Sequence, residues 1–385
     1  MLCLPRPSLT ICLSNLLVLT LVGLLQTSAA AQDLTQVPEK DPMYALLGEF
    51  AGPIAIAENQ YEPLAIQIRP LADNRFEALQ YSGGLPGQTT HKPGSIKLIG
   101  QRSGDFVVLS GGPYAVLADQ RQCIVVNREG KRIGTLDRVT RTSPTLGAQP
   151  PAGAVVLFDG SNTDQFTIAE MTKDGLLKEG ADVKPMFQDF DMHVEFRLPY
   201  MPAQIGQKRG NSGCYLQSRY EVQVLDSFAE PTTFNGCGSL YRFKTPDLNM
   251  CFPPLQWQAY DIHFTAPRWA ADGSKIRNAR LTVWHNGVKI HDDVELPNKT
   301  GAGKPEEPLL LPTRFQNHSD PVRFRNIWVV DRGLTPATPF PVFPKAKPVE
   351  QKQEAKKQEA KKSEPKKQEA KEQEQAPAEP KTESK

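Results

Sequence analysis

Few windows of this chain repeat apolar residues at helical spacing over three turns. Short β-branched or alternating stretches recur instead, separated by Gly- and Pro-rich turn chemistry. The pattern predicts an all-β protein. At 385 residues the chain is long enough for two domains with separate cores. With 45 Lys and Arg against 43 Asp and Glu, and no basic stripe interleaved with aromatics, bulk electrostatics points to neither nucleic acid nor an anionic membrane.

The N-terminus reads as a signal peptide over residues 1–31. Arg6 supplies a sparse positive region, Leu13 to Leu25 is nearly all apolar, and small residues end in an A-x-A pattern at Ala31. The mature chain is then expected to begin near Gln32 and to be soluble, exported to a periplasmic or extracellular setting. The alternative, an uncleaved anchor, is opposed by an apolar run shorter than the roughly 20 residues that span a bilayer.

In that oxidising setting Cys123, Cys214, Cys237 and Cys251 can pair. Cys237 with Cys251 is the expected bridge, because both sit in one loop-rich stretch and close a short ring. Buried free thiols are the alternative. No C-x-x-C spacing or His/Cys cluster supports zinc.

Strand-like runs at Leu64–Arg69, Arg75–Tyr81, Ser95–Ile99, Asp105–Leu109 and Cys123–Asn127 predict a smaller all-β domain over 41–142, sandwich or open barrel. It contains no defensible acid–base set and reads as an accessory domain. Residues 143–153 form a Pro-rich linker, and a second domain occupies 154–333. The segment 342–385 is built of Lys, Glu, Gln, Ala and Pro. It has too few apolar residues to bury a core and is expected to be a solvated tail.

Strand alternation in the second domain sorts side chains into two faces. Met192, Val194, Phe196 and Leu198 point one way, and His193, Glu195 and Arg197 the other. Tyr220, Val222 and Val224 oppose Glu221 and Gln223, which share a row with Tyr215, Gln217 and Arg219. Tyr260, Ile262 and Phe264 oppose Trp257, Asp261 and His263. A polar face of this kind suits sugar hydroxyls, which need paired donors and acceptors, with aromatic rings to cover apolar sugar faces. The plainer alternative is the wet side of any antiparallel sheet. Asn298-Lys-Thr300 and Asn317-His-Ser319 match glycosylation acceptors, a pattern common by chance.

The run Gly210-Asn-Ser-Gly-Cys-Tyr-Leu-Gln217, continuing through Arg219-Tyr-Glu-Val-Gln-Val-Leu-Asp-Ser227, resembles the 3-keto-disaccharide hydrolase family. Leu157-Phe-Asp-Gly160, Trp257 to Ile262, Leu281 to Val288, Gln316 to Val322 and Phe324 to Trp328 extend the likeness over about 180 residues. The resemblance implies a concanavalin-like jelly-roll β-sandwich that acts on glycosides oxidised at the sugar's 3-position. The first domain is similar to a β-domain that sometimes precedes this module, at Gly83–Gly87 and Ser143–Gly147. Two departures stand out: Ser319 replaces the usual glycine after the late histidine, and Phe166 stands where tryptophan is common.

For such substrates a base must remove the C2 proton, a cation or donor must face the C3 oxygen, and the C1 substituent must leave. The resemblance makes Glu221 and His193 candidate bases, Arg197 or Arg219 candidates to stabilise the enolate, and His318 or Asp226 candidates to protonate the leaving oxygen. Glu195, Asn211, Tyr215, Gln217, Gln223, Trp257, Asp261 and His263 are expected to bind carbohydrate. No cofactor is indicated; a divalent cation could replace the arginine, but no spacing demands one. The competing reading is a non-catalytic glycan-binding protein on the same fold. His193, Glu195, Arg197, Gln217, Glu221 and Gln223 are expected on one concave surface.

Overall fold

A computed structural model describes residues 33–88 and 94–333. The expected signal peptide and tail lie outside them. Among the described residues eight antiparallel strands close into a barrel: β1 (Gly48–Ala57), β2 (Gln60–Pro70), β3 (Arg75–Ser82), β4 (Ser95–Ser103), β5 (Phe106–Ser110), β6 (Ala115–Ala118), β7 (Gln122–Val126) and β8 (Arg132–Val139). Of the two expected forms, sandwich or open barrel, the chain adopts a barrel, and it is closed because β1 pairs with β8 as well as β2. Alternate residues such as Phe50, Ile66, Ile68, Leu98, Val107 and Val116 fill its interior. Strand β1 escaped the sequence reading because Gly52 and Pro53 interrupt it. The glycine is a close approach: a Cβ there would lie 2.5 Å from Thr135 O on β8.

The second domain is a jelly-roll sandwich. One sheet contains β11 (Leu177–Lys178), β22 (Arg323–Gly333), β13 (Asp189–Arg197), β16 (Trp257–Thr265), β19 (Ala279–His285) and β20 (Val288–Leu296) in that order, with β9 (Val155–Phe158) beside β22. The other runs β10 (Phe166–Ile168), β12 (Ala181–Val183), β21 (Arg314–Phe315), β14 (Ser212–Leu216) and β15 (Tyr220–Val224). A short hairpin of β17 (Arg268–Trp269) and β18 (Lys275–Arg277) stands apart. Turn chemistry sets the register: Asn286 and Gly287, with φ of 51° and 76°, join β19 to β20 in the left-handed conformation that two-residue hairpin loops favour.

The two sheets meet through aromatic rings. Tyr220 of β15 packs on Phe264 of β16 at 5.4 Å, and Phe315 of β21 on Phe324 of β22 at 4.9 Å. Such pairs add about 0.5–1.5 kcal/mol each beyond area burial. The even-numbered residues of β13, β15 and β16 therefore face the core, as alternation predicted.

The barrel is tied to the sandwich by buried charge. Arg209 Nη1 donates to Pro70 O at 3.1 Å, Arg69 pairs with Glu230 at 2.5 Å, and Arg141 pairs with Glu49 while stacking over Phe252. All four cysteines are buried and free, so the expected Cys237–Cys251 bridge is not formed. Their thiols hydrogen-bond to each other instead, and Cys237 also meets the Tyr260 hydroxyl at 3.1 Å.

Candidate active site

The polar residues singled out in the sequence do point away from the core, but from two different sheets, so they occupy opposite outer faces of the sandwich. His193, Glu195, Arg197, Trp257, Asp261 and His263 lie outside the seven-stranded sheet; Tyr215, Glu221 and Gln223 lie outside the five-stranded one. The expected single concave surface does not exist. Sheets packed face to face are about 10 Å apart, so two core layers separate His193 from Glu221.

The seven-stranded face is covered by the linker. Asp261 accepts from Thr145 Oγ1 at 2.8 Å and meets His193 Nδ1 at 2.6 Å; Glu195 accepts from Gly147 N and from Asn326 Nδ2, and pairs with Arg325 at 2.7 Å. Trp328 stacks on His193 and donates to Ala148 O at 3.2 Å. His193, Glu195 and Asp261 are fully buried. Trp257 is covered by the Arg325 and Arg197 guanidinium groups at 4.0 and 5.0 Å. His263 pairs with Asp191 at 2.6 Å. Burial opposes charge on His193, yet Asp261 and Glu195 outweigh it and raise its pKa; burial likewise opposes charge on Glu195, but His193, Asn326, Gly147 and Arg325 hold it at about 2. This network fastens the linker to the sheet.

The five-stranded face is different. Glu221 stands directly across from Tyr215 on β14, whose side chain hydrogen-bonds to it. With the Gln223 amide turned so that its nitrogen reaches Ser212 O at 2.6 Å, the same nitrogen meets Glu221 Oε1 at 3.1 Å. The carboxylate lies over Gly213, where a Cβ would fall 2.4 Å from Oε1. Oε2 is buried with no hydrogen-bond partner among the described residues. Burial lifts the Glu221 pKa to about 7, with the Tyr215 hydrogen bond working the other way. Among the described residues no cation offsets that burial.

Around this floor stand half-buried Gln207 and Gln316, the latter donating to Tyr215 OH at 3.4 Å. Neither glutamine was singled out as a site residue from sequence. For Gln316 the signal was there: it follows inward-facing Phe315, so alternation turns it to the Tyr215 side. Asn211 donates through its backbone N to Asp320 Oδ2 at 2.7 Å, and exposed His318 adjoins Asp320 on the same loop.

Three expected participants are committed elsewhere. Asp226 is pinned by Arg209 at 2.7 Å, Arg219 spends Nε on Pro305 O at 2.9 Å, and Gln217 sits in the β14–β15 turn with its Nε2 on Phe187 O. Neither Arg197 nor Arg219 is therefore placed to face an enolate at Glu221. Among the described residues no group of three or more His, Cys, Asp or Glu is placed to hold a metal ion.

A two-domain all-β protein whose jelly roll presents a buried carboxyl tuned to neutral pH among amides and a phenol has the equipment of a carbohydrate-active enzyme. Residues 153–330 match the 3-keto-alpha-glucoside-1,2-lyase-like domain, and the chain belongs to that family. Similar solved structures include three candidate glycosyl hydrolases from Parabacteroides distasonis. One shares 34% identity over 47% of this chain and 84% of its own, with a TM-score of 0.44. A second shares 16% over 50% and 98%, TM-score 0.35, and a third 19% over 46% and 98%, TM-score 0.32. No curated protein matches the chain.

Proposed function

We propose that the domain cleaves glucosides already oxidised to a ketone at C3, with Glu221 as the base. The ketone acidifies the C2 proton; Glu221 takes it, and the C2–H electron pair moves into an enolate with charge on the C3 oxygen. Collapse of the enolate forms a C1–C2 double bond, breaks the C1–O bond, and frees the substituent as an alcohol once its oxygen gains a proton. No net redox change occurs. Water adding across the new double bond would turn the elimination into net hydrolysis.

The observation that carries this reading is the Glu221 carboxyl itself. A general base works best with a pKa near the working pH, and burial over Gly213 supplies that, with no cation among the described residues paired to the carboxyl. Tyr215 and Gln223, which bond the carboxyl, and Gln316, which reaches the Tyr215 hydroxyl, are suited to hold ring hydroxyls and the C3 oxygen. His318, exposed at the rim, is the candidate for protonating the leaving oxygen. The apolar N-terminal segment supports export as the setting.

Incubating the full chain with a panel of 3-keto-glucosides, in H2O and in D2O, tests this. Mass spectrometry should show the free alcohol together with the unsaturated keto-sugar, which carries no hydrogen at C2, or its hydrate, which in D2O carries deuterium at C2. Glycan binding without turnover of any 3-keto-glucoside would instead establish the non-catalytic reading.

A further inference from the structure

A cleft of about 430 Å³ opens at one end of the sandwich, where β13 begins, β16 finishes and β14 turns into β15. Gln188, Gln217, Arg268, Trp269, Glu307 and Leu309 are among its walls. Its volume is within the roughly 300–1,000 Å³ typical of small-molecule sites.

Gln217 is only 2% exposed, and its Nε2 is fixed by Phe187 O at 2.9 Å and Gln188 O at 3.3 Å. Its Oε1 has no donor among the described residues, although the side chain lines the cleft. The backbone at Gln217 and Ser218 is left-handed, with φ of 49° and 57°, where Asn and Gly are the favoured residues. A long amide is thus held at a conformationally costly position with its acceptor unused.

The neighbouring groups are similarly prepared. The Arg268 guanidinium is clamped by both oxygens of Asp189, at 2.5 and 3.1 Å, and by Ala266 O at 3.0 Å. Trp269 is half-buried, and among the described residues its ring packs on no other ring or cation and its indole N–H has no acceptor. Leu309, 59% exposed, adds an apolar wall.

Charge narrows the ligand. Arg268 is neutralised by Asp189, and Glu307 is the carboxylate left on the wall, so an anion such as a phosphate gains nothing here. A free aromatic face beside fixed planar amides suits a neutral ring that is apolar on its face and hydroxylated at its edge. We propose that this cleft is a second carbohydrate-binding site, distinct from the Glu221 floor, that holds a neutral oligosaccharide. It does not depend on the chemistry assigned to Glu221.

Calorimetric titration of the full chain with maltohexaose and with cellohexaose tests the site. At least one should bind, Trp269→Ala should weaken it at least tenfold, and Trp269→Phe should weaken it less. Turnover of a small 3-keto-glucoside by Trp269→Ala should remain within twofold of wild type. Should Trp269→Ala lower the melting temperature, Leu309→Asp puts a charge on the exposed wall away from the hairpin, and the same tenfold loss is expected. Absence of binding by either hexasaccharide, or equal affinity in wild type and folded variants, overturns the proposal. Trp269-dependent binding without any turnover would defeat the Glu221 reading alone.

Discussion

The two outer faces of the sandwich are made from the same kinds of residue and are put to different uses. On the seven-stranded face, the Asp261 and Glu195 carboxylates are paired with His193 and Arg325 and accept from the Thr145 hydroxyl and the Gly147 backbone N–H, so their charge is compensated. On the five-stranded face, Glu221 is buried among amides and a phenol; Arg314, across from Tyr215, pairs with Asp182 at 3.3 Å rather than with Glu221, and one Glu221 oxygen has no hydrogen-bond partner among the described residues. The pKa values record the difference. Glu195, two residues from His193 and bound to Arg325, is held at about 2, whereas Glu221 is lifted to about 7. A carboxylate whose charge is satisfied is suited to fastening, and one whose charge is resisted has the pKa that base chemistry at neutral pH requires.

The largest expected effect separates the faces by activity. Glu221→Gln keeps the shape of the site and removes the proton acceptor, so turnover of a 3-keto-glucoside should fall by about 10²–10⁴ with little change in binding. Glu195→Gln should leave turnover within a few-fold but cost about 1–2 kcal/mol of stability, because it weakens the charge-assisted bonds that Arg325, Gly147 and His193 make to the carboxylate. Steady-state kinetics and urea unfolding of both variants measure this. If the two profiles are exchanged, the assignment of the faces is wrong.

A second expectation concerns the stability of the Glu221 face. A carboxyl whose folded pKa is raised favours the native state while protonated, and that contribution is lost as pH climbs from about 4.5 through about 7. At roughly 1.4 kcal/mol per unit, Glu221→Gln should make the protein more stable by about 3 kcal/mol above pH 7 and no more stable below pH 4. Activity should run the opposite way in the wild type, rising with pH through about 7 as the base ionises. Unfolding curves for the variant that parallel the wild type at every pH would remove the claim that burial tunes this group.

Gly213 gives a smaller test of the same geometry. An alanine methyl would sit 2.4 Å from Glu221 Oε1, so the carboxylate must move. Displacement of a catalytic group by about 1 Å can cost up to 10² in rate, and Gly213→Ala should reduce turnover about tenfold to a hundredfold. Its effect should fall on kcat more than on KM.

These contrasts also show what a sequence of this kind discloses. Alternation assigned His193, Glu195, Glu221 and Asp261 correctly to the sides of their strands away from the core, because the side-chain period of two is local. It could not say which sheet each strand joins, since that depends on the pairings β13–β16 and β14–β21, made between segments far apart in the chain. The segment from Ser143 to Gly153 read as a plain linker from its prolines. Its placement depends on contacts invisible locally, such as Pro144 filling the space that Gly287 leaves on the β19–β20 turn. The raised pKa of Glu221 was equally hidden, because burial is a tertiary property. The jelly-roll domain was legible because its most distinctive run, Gly210 to Ser227, forms the β14–β15 hairpin that carries Glu221.

The smallest expected effect tests the fastening. Thr145→Val removes the hydroxyl that donates to Asp261 while keeping the side chain's shape, and should cost about 1 kcal/mol. Its pH dependence is more telling than its size. His193 has a raised folded pKa, so its stabilising charge is fully present below its ordinary value of 6.5 and is lost as pH rises through the higher folded value; Glu195, held at about 2, contributes above 4.5 and loses that contribution as pH falls toward 2. The linker should therefore be held most firmly between about pH 4.5 and 6.5 and loosen on either side. Limited proteolysis across residues 143–153 should be slowest in that window for the wild type, and faster at every pH in Thr145→Val. Cleavage that shows no minimum, or that follows the titration of Glu221 instead, would mean that the seven-stranded face does not hold the linker through these charges.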